Sequence, residues 1–367
     1  MMFYLKKIQL TNFKCYEKKE FEFHPYKNII VGLNAVGKTS LVEAIYCLCF
    51  TKTFKGIKDI DLIKKGNSFF NIKALFNTSN GIESVFLGYD SINKRIKRDE
   101  KVYKSTSDYL GEYNAIVFSP DDLDFVKGSP LGRRKFLDTH ISQINKTYLN
   151  SFSRYKKILK ERNEFLKSIE DGNYDHKLLS IITEALIMEA TIIIETRNTF
   201  INQINTYIEP ISLKLSENNE IVKLVYKPHT NVDNLWKTSK ERLSYDIMNH
   251  TTTWGPSRDD IQVEINLEDA SVFASQGQIR SACLSVKLAL TEVFSKINEK
   301  VLIILDDVLS EFDTNRQNQL FSLLDSKKQT FITTTSIDNL SKDILDASNI
   351  IEIQRGKIKW TILIMMP

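Results

Sequence analysis

Apolar and polar positions alternate through the first part of this chain, and the period changes twice further along. Phe3-Tyr4-Leu5 through Phe13, Phe21-Glu22-Phe23 and Ile29-Ile30-Val31 carry strand signatures, and a second β-rich stretch covers residues 71–103. Ser129-Pro130 supplies a helix cap followed by a first-turn proline. From there Leu137, Ile141, Ile144, Tyr148, Phe152, Tyr155 and Leu159 recur every three or four residues. A polar break at Asp171-Gly172-Asn173 leads into a second helical stretch, residues 176–208, which Pro210 is expected to stop. The pair reads as an antiparallel helical hairpin, an arm whose limbs each reach roughly 50 Å at 1.5 Å per residue. Strand texture returns over residues 261–267, then a helix over 278–294, an aliphatic run at 301–305, a strand at 330–335 and a closing hairpin at 350–358. The predicted fold is therefore α/β with a split head. Residues 1–128 and 251–367 build one sheet together, and 129–250 form the inserted helical arm.

The strand Ile29-Ile30-Val31 runs into Gly32-Leu33-Asn34-Ala35-Val36-Gly37-Lys38-Thr39 and Ser40, and an amphipathic stretch, read as a helix over roughly residues 38–49, follows. This fits the Gly-x-x-x-x-Gly-Lys-Thr loop that wraps nucleotide phosphates. Gly32 and Gly37 let successive N–H groups face one anion, and the helix behind them adds its N-terminal partial charge. Lys38 is expected to reach the β- and γ-phosphates, and the Thr39 hydroxyl to ligate Mg²⁺.

Five aliphatic residues, Val301-Leu302-Ile303-Ile304-Leu305, end in Asp306-Asp307. A run apolar on both faces indicates a strand of a buried parallel sheet, where ligands sit at the carboxyl ends of strands. Asp306 is assigned to Mg²⁺, and Asp307 to orienting or deprotonating the attacking water. Together the two stretches predict binding of a nucleoside triphosphate, ATP with Mg²⁺ as cofactors.

Composition is that of an ordinary globular protein: 367 residues, 42% hydrophobic, 26% charged and a net charge of +4. Such a mild positive balance permits a nucleic-acid partner without demanding one. Cys15, Cys47, Cys49 and Cys283 form no Cys-x-x-Cys pair and read as buried free thiols. No apolar run approaches the roughly 20 residues needed to span a bilayer, so a cytoplasmic protein is expected.

Ser275-Gln276-Gly277-Gln278, placed between the inserted arm and the acidic strand, resembles the signature motif of ABC-type ATPases. Ser310-Glu311-Phe312-Asp313 resembles the D-loop of that class. A finer resemblance, over essentially the whole chain, is to the RecF family of bacterial recombination and gap-repair ATPases. It rests on Leu10-Thr11-Asn12-Phe13-Lys14-Cys15-Tyr16, the phosphate loop, Phe118-Ser119-Pro120-Asp121-Asp122-Leu123, Gly255-Pro256-Ser257-Arg258-Asp259-Asp260, the signature and the acidic strand. Lys14 stands where that family usually has arginine, Ser257 where it has histidine, and threonines where transporters place a switch histidine.

The resemblance implies a DNA-stimulated ATPase of low turnover that dimerises on ATP. In the dimer, Ser275 and Gly277 of one copy would cap the γ-phosphate held by the other. It also implies binding of double-stranded or gapped DNA, work with RecO and RecR to load the RecA recombinase, and a part in the SOS response. The candidate DNA contacts are the cations Lys55, Lys94, Arg95, Lys97 and Arg98, the last four on a basic hairpin tip, together with Lys52, Lys58 and the arm residues Lys156, Lys157 and Lys160. A transporter subunit would want Leu-Ser-Gly-Gly-Gln and a switch histidine. A chromosome-maintenance ATPase would want far longer arms or an apical Cys-x-x-Cys.

Overall fold

A computed structural model describes every residue except 1, 170–172, 218, 310–313, 325–327, 339, 341, 355–356 and 363–367. Two expected features fall there: the D-loop-like Ser310 to Asp313, and most of the Asp171-Gly172-Asn173 break. The chain forms two compact units, one of Met1–Asp122 and Val286–Pro367, the other of Leu123–Ser285.

In the first unit the chain runs β1 (Tyr4–Phe13), β2 (Tyr16–Glu22), β3 (Lys27–Val31), α1 (Lys38–Phe50), β4 (Phe70–Thr78), β5 (Gly81–Tyr89), β6 (Lys94–Arg98), β7 (Lys101–Tyr103), α2 (Thr106–Tyr109) and β8 (Asn114–Phe118). The second unit holds α3 (Asp124–Lys127), α4 (Pro130–Ile144), α5 (Lys146–Lys167), α6 (His176–Leu215), β9 (Val222–Lys227), α7 (Leu235–Glu241), α8 (Leu243–Met248), β10 (Asp260–Ile265), β11 (Glu268–Asp269), α9 (Ala270–Phe273) and the start of α10 (Gln276–Ile297). The chain then returns to the first unit with β12 (Val301–Asp306), α11 (Thr314–Leu323), β13 (Thr330–Thr334), α12 (Lys342–Asp346), β14 (Ser348–Gln354) and β15 (Lys357–Ile362).

Two sheets make the first unit. One is antiparallel, in the order β2-β1-β4-β5-β6-β7; the other is largely parallel, in the order β15-β14-β3-β13-β12-β8. Strands from both ends of the sequence thus alternate in the parallel sheet, which is the split head the pattern predicted. From Leu41 to Phe50 every residue of the helix α1 is buried and all but Glu43 are hydrophobic, so the stretch expected to be amphipathic is enclosed on every side. It touches β1 and β4 of one sheet and β8, β12 and β13 of the other. Leu41, Val42, Ile45, Leu48 and Phe50 share one core with residues of both sheets. Gln329 adds a polar stitch: its amide exchanges hydrogen bonds of 2.7 and 2.9 Å with the Leu5 backbone and donates to the His24 carbonyl at 2.9 Å.

In the second unit α5 lies along α6, and α6 also packs on β9 of the small sheet β11-β10-β9. The expected first limb is broken at Asn145, whose side chain accepts from the Tyr148 N–H and caps α5. The second limb does not stop at Pro210. It runs to Leu215 because Ile208, Ser212 and Leu215 are buried and Asn205 clamps β9 through two bonds to Leu224. Burial and these bonds outweigh the one backbone bond that proline removes. At 1.5 Å per residue α5 spans about 33 Å and α6 about 60 Å. The boundary expected near residue 250 lies instead at 285, because β10 pairs along its whole length with β9.

Two buried arginines organise this unit. Arg162 and Asp246 are both fully buried, with Nη1 of Arg162 donating to Asp246 Oδ2 at 2.8 Å and to Thr252 Oγ1 at 2.7 Å. Asp246 also accepts from Trp254 Nε1 at 3.0 Å and from Thr253 N–H at 2.9 Å. Arg197 donates to Asp138 at 2.7 Å, Asp259 at 2.9 Å and the Pro256 carbonyl at 2.8 Å. An ion pair of this kind depends on both members, since either one alone is a desolvated charge. Asp246→Ala is expected to cost about 3–5 kcal/mol, read as a lower urea midpoint of the second unit. Exchanging both partners for apolar residues of similar volume, Arg162→Met with Asp246→Leu, should recover most of that loss.

Candidate nucleotide site

The parallel sheet sets the site through its register. Asp306 pairs with Thr333 across β12 and β13, and Thr334 pairs with Val31 across β13 and β3. The end of the acidic strand therefore lies one strand away from the start of the phosphate loop. The gap is closed by the first turn of α1, where Thr39 Oγ1 stands 3.1 Å from Asp306 Oδ1, a bond spanning 267 positions of sequence. Thr333 Oγ1 donates to the same carboxylate oxygen at 2.9 Å and accepts the Asp307 N–H at 2.9 Å. Burial pushes the Asp306 carboxyl up from the usual range, while the Thr333 and Thr39 hydroxyls and the Lys55 ammonium pull it back.

Gly32 is required by space, and Gly37 by space and by conformation. A Cβ on Gly32 would lie 2.4 Å from the Ile353 carbonyl oxygen. Gly37 has φ 118°, and a Cβ there would lie 2.8 Å from both Cys15 Sγ and Tyr16 Oη. Ala35 also adopts a left-handed backbone, φ 63°. Lys38 is buried, with its ammonium donating to the Gly32 carbonyl at 2.6 Å and the Leu33 carbonyl at 2.9 Å. Burial lowers its pKa; Asp307 and Asp306 oppose that. The ammonium is thus folded back on the loop. Asp307 sits in left-handed backbone, φ 56°, at the turn leaving β12.

A divalent cation fits this donor set. A hydroxyl and a carboxylate converge at 3.1 Å beside a glycine loop opening a helix, all hard oxygen ligands of the kind Mg²⁺ takes.

The N-terminal corner forms a buttress that sequence reasoning missed. Tyr16 Oη donates to the Gly37 carbonyl at 3.0 Å. Lys14 forms a short ion pair with Glu43, a fully buried carboxylate one turn beyond Thr39. Asn12 and Lys14 both take left-handed backbone to make this corner, φ 52° and 50°. Cys15 is exposed there, contrary to the expectation of a buried thiol, whereas Cys47, Cys49 and Cys283 are buried. The motif around Phe118 has a structural use: Asp122 accepts the Ser119 N–H at 2.9 Å and pairs with Lys287 of α10 at 2.9 Å.

Ser275 stands at the head of α10 in a reciprocal capping box. Its hydroxyl accepts the Gln278 N–H at 3.3 Å, and Gln278 Oε1 accepts the Ser275 N–H at 2.9 Å. The hydroxyl proton is left over as a donor.

The basic residues are not arranged as expected. The turn is made by residues 90–93, and Lys94 to Arg98 form the strand β6, with Ile96 buried between them. Alternation sends Lys94 and Arg98 to one face, where they pair with Asp59 and Glu112, and Arg95 and Lys97 to the other. Arg95 and Lys97 pair with Asp90 and Glu100. Lys55 is exposed and acts on the carboxyls of Asp306 and Glu43. On α5, Lys157 and Lys160 pair with Glu161 and Glu164, and Lys156 lies over the Phe152 ring.

A glycine-wrapped anion cradle whose helix meets the acidic end of a parallel strand in the same sheet, on a head split around an inserted helical unit, defines an ABC-type P-loop ATPase. The family described as "RecF/RecN/SMC N terminal domain" matches residues 4–359. The DNA replication and repair protein RecF of Bacillus cytotoxicus is 36% identical over 366 residues, covering 97% of this chain and 98% of that protein. RecF of Bacillus thuringiensis is 36% identical over 367 residues with the same coverage. Among solved structures, the recombination mediator protein RecF with ATP superposes with a TM-score of 0.90 at 32% identity, covering 99% of this chain and 98% of that one. A Smc head domain from Pyrococcus furiosus, 16% identical with a TM-score of 0.56, covers 98% of this chain and 96% of that one and shares the fold alone. The chain belongs to the RecF family.

Gly37→Ala should reduce nucleotide affinity more than a hundredfold, measured by calorimetry, because a Cβ at φ 118° meets Tyr16 and Cys15 at once. Cys15→Ala in the same chain removes one clash only, so it should restore little.

Proposed function

We propose that this protein is an ATP-dependent DNA-binding ATPase of recombinational repair and replication-gap processing. In this reading it dimerises on ATP and works with mediators of the RecO and RecR type to load recombinase at gaps. The observation that carries the reading is the Thr39–Asp306 contact, which brings the phosphate loop and the acidic strand to one point. The known RecF–ATP structure in the RecFOR pathway supports ATP as the ligand and that pathway as the setting.

Gly32, Leu33, Asn34, Ala35, Val36, Gly37, Lys38, Thr39 and Ser40 would wrap the phosphates. The Lys38 ammonium would exchange the Gly32 and Leu33 carbonyls for phosphate oxygens. Thr39 and Asp306 would hold Mg²⁺, which supplies neutralisation of the developing phosphate charge. Asp307 would orient a water and accept its proton as the oxygen attacks the γ-phosphorus and the bond to the β-phosphate oxygen breaks. Ser275 and Gly277 of a second copy would donate hydroxyl and N–H to the same γ-phosphate, making ATP part of the dimer contact.

Molecular mass by light scattering with ATP, ADP and no nucleotide tests this reading. A dimer is expected with ATP alone, and a mass indifferent to nucleotide would overturn it. Lys38→Arg should weaken ATP binding or slow hydrolysis severely, since a planar guanidinium does not replace a compact ammonium in the cradle. Asp307→Asn should still bind ATP and dimerise while phosphate release stops. Turnover near that of the unaltered protein would remove Asp307 from the chemistry. Ser275→Arg should bind ATP as a monomer; if it still dimerises, Ser275 is only a helix cap.

A further inference from the structure

The two stretches that the proposed dimer brings to one γ-phosphate are both free of charge, and both carry exposed apolar side chains. From Ala270 to Ile279, through the signature, no residue is charged, and none is from Asn28 to Gly37. On the signature side, Val272 and Phe273 are each 68% exposed. They do not sit on a loose end. Asp269 caps α9: its Oδ1 accepts the Ser271 N–H at 2.8 Å and the Ser271 hydroxyl at 2.6 Å, and its Oδ2 accepts from Gln262 Nε2 at 2.9 Å. Ala270 is buried in the same turn, so α9 is anchored while its last two side chains face solvent. Two residues after Phe273, Ser275 opens α10. On the loop side, Leu33 is 77% exposed, followed by the exposed Asn34 and Ala35.

A single exposed apolar side chain is ordinary. Ile92, Met188 and Leu267 are comparably open, and nothing beside them says what would cover them. Place sets Leu33, Val272 and Phe273 apart. The Leu33 carbonyl lies 2.9 Å from the Lys38 ammonium, the group that would hold the γ-phosphate from the loop side. Ser275 would reach the same phosphate from a second copy. Cα atoms two residues apart are separated by at most about 7.6 Å, so Phe273 arrives wherever Ser275 does. Covalent geometry alone therefore carries the exposed apolar side chains of both stretches into one contact. The centres of protein interfaces are depleted of charge and anchored by aromatic side chains, and both conditions are met here.

We infer that Val272 and Phe273 of one copy pack on Leu33 of the other, beside the γ-phosphate that the two copies share. The surface on α9 is thus an interaction surface for a second copy of this chain, and what it takes is the tip of that copy's phosphate loop. In a two-fold dimer the contact is made twice, once at each nucleotide. The inference rests on the ATP-driven dimer proposed above and adds the side chains that join it.

Sedimentation equilibrium at saturating ATP tests it. Phe273→Ser should raise the dimer dissociation constant by about a hundredfold or more, because the loss falls on both contacts. Phe273→Leu, which keeps an apolar side chain, should dimerise far more tightly than Phe273→Ser. The ATP affinity of the monomer and the melting temperature should not move, since Phe273 is exposed and lies outside the phosphate loop. Crosslinking reads the pairing itself. Leu33→Cys and Phe273→Cys chains, each also carrying Cys15→Ala, should form a covalent heterodimer with a short bis-maleimide in ATP and not in ADP. If the unaltered protein dimerises on ATP and Phe273→Ser dimerises equally well, the inference is overturned and the dimer reading stands. A Phe273→Ser variant that stays monomeric, beside cysteine variants that give no covalent heterodimer, overturns the pairing with Leu33. An unaltered protein whose mass ignores ATP overturns the contact and the dimer reading together.

Discussion

The burial of α1 is the constraint on which the rest of this head depends. A helix that opens with a phosphate loop has to present its N-terminus to solvent, yet every residue of α1 from Leu41 to Phe50 is buried, and Glu43 alone among them is charged. Only a layer on each side can satisfy it. The antiparallel sheet covers one side and the parallel sheet the other, and both leave the first turn open. The same sandwich explains why Cys47 and Cys49 are inert. Burial drives both thiols far above the range in which a thiolate forms. It also brings Glu43 into a buried position that Lys14 must compensate.

Much of this was legible in the sequence, because the signals are local. Five aliphatic residues before two aspartates describe a buried parallel strand wherever they occur, and a glycine loop between a strand and a helix leaves few alternatives. The capping box at Ser275 and the cap at Asn145 are also local, although the second was overlooked because apolar spacing continues across the break. What could not be read were relations between distant positions. Pro210 looked like a stop because the gain from Ser212 and Leu215 comes from packing and from β9. Thr333 looked like one threonine in a row of three until its register against Asp306 was known. The basic run at Lys94 looked like a tip because pairing with Asp59 and Glu112 is not visible along the chain.

The two units balance their charges differently. In the first, carboxylates and cations meet where the acidic strand ends beside α1, and the charges of Lys38, Lys55, Asp306 and Asp307 act on one another there. In the second, arginines are sunk into the interior and tie helices to the loop that carries Arg258. Buried pairs of that kind add little net stability against an apolar core, so their value lies in fixing one geometry.

The alternation of early and late strands in the parallel sheet also has a consequence in time. β3 lies between β13 and β14, and β8 pairs with β12, so both early strands take partners made near the end of synthesis. While the chain emerges from the ribosome, two of the most apolar segments have no neighbour to bond. Long-range pairing of this sort folds slowly and leaves open strand edges that invite aggregation. The interval before the last strands arrive is therefore the stage of synthesis at which this head is most open to misassociation.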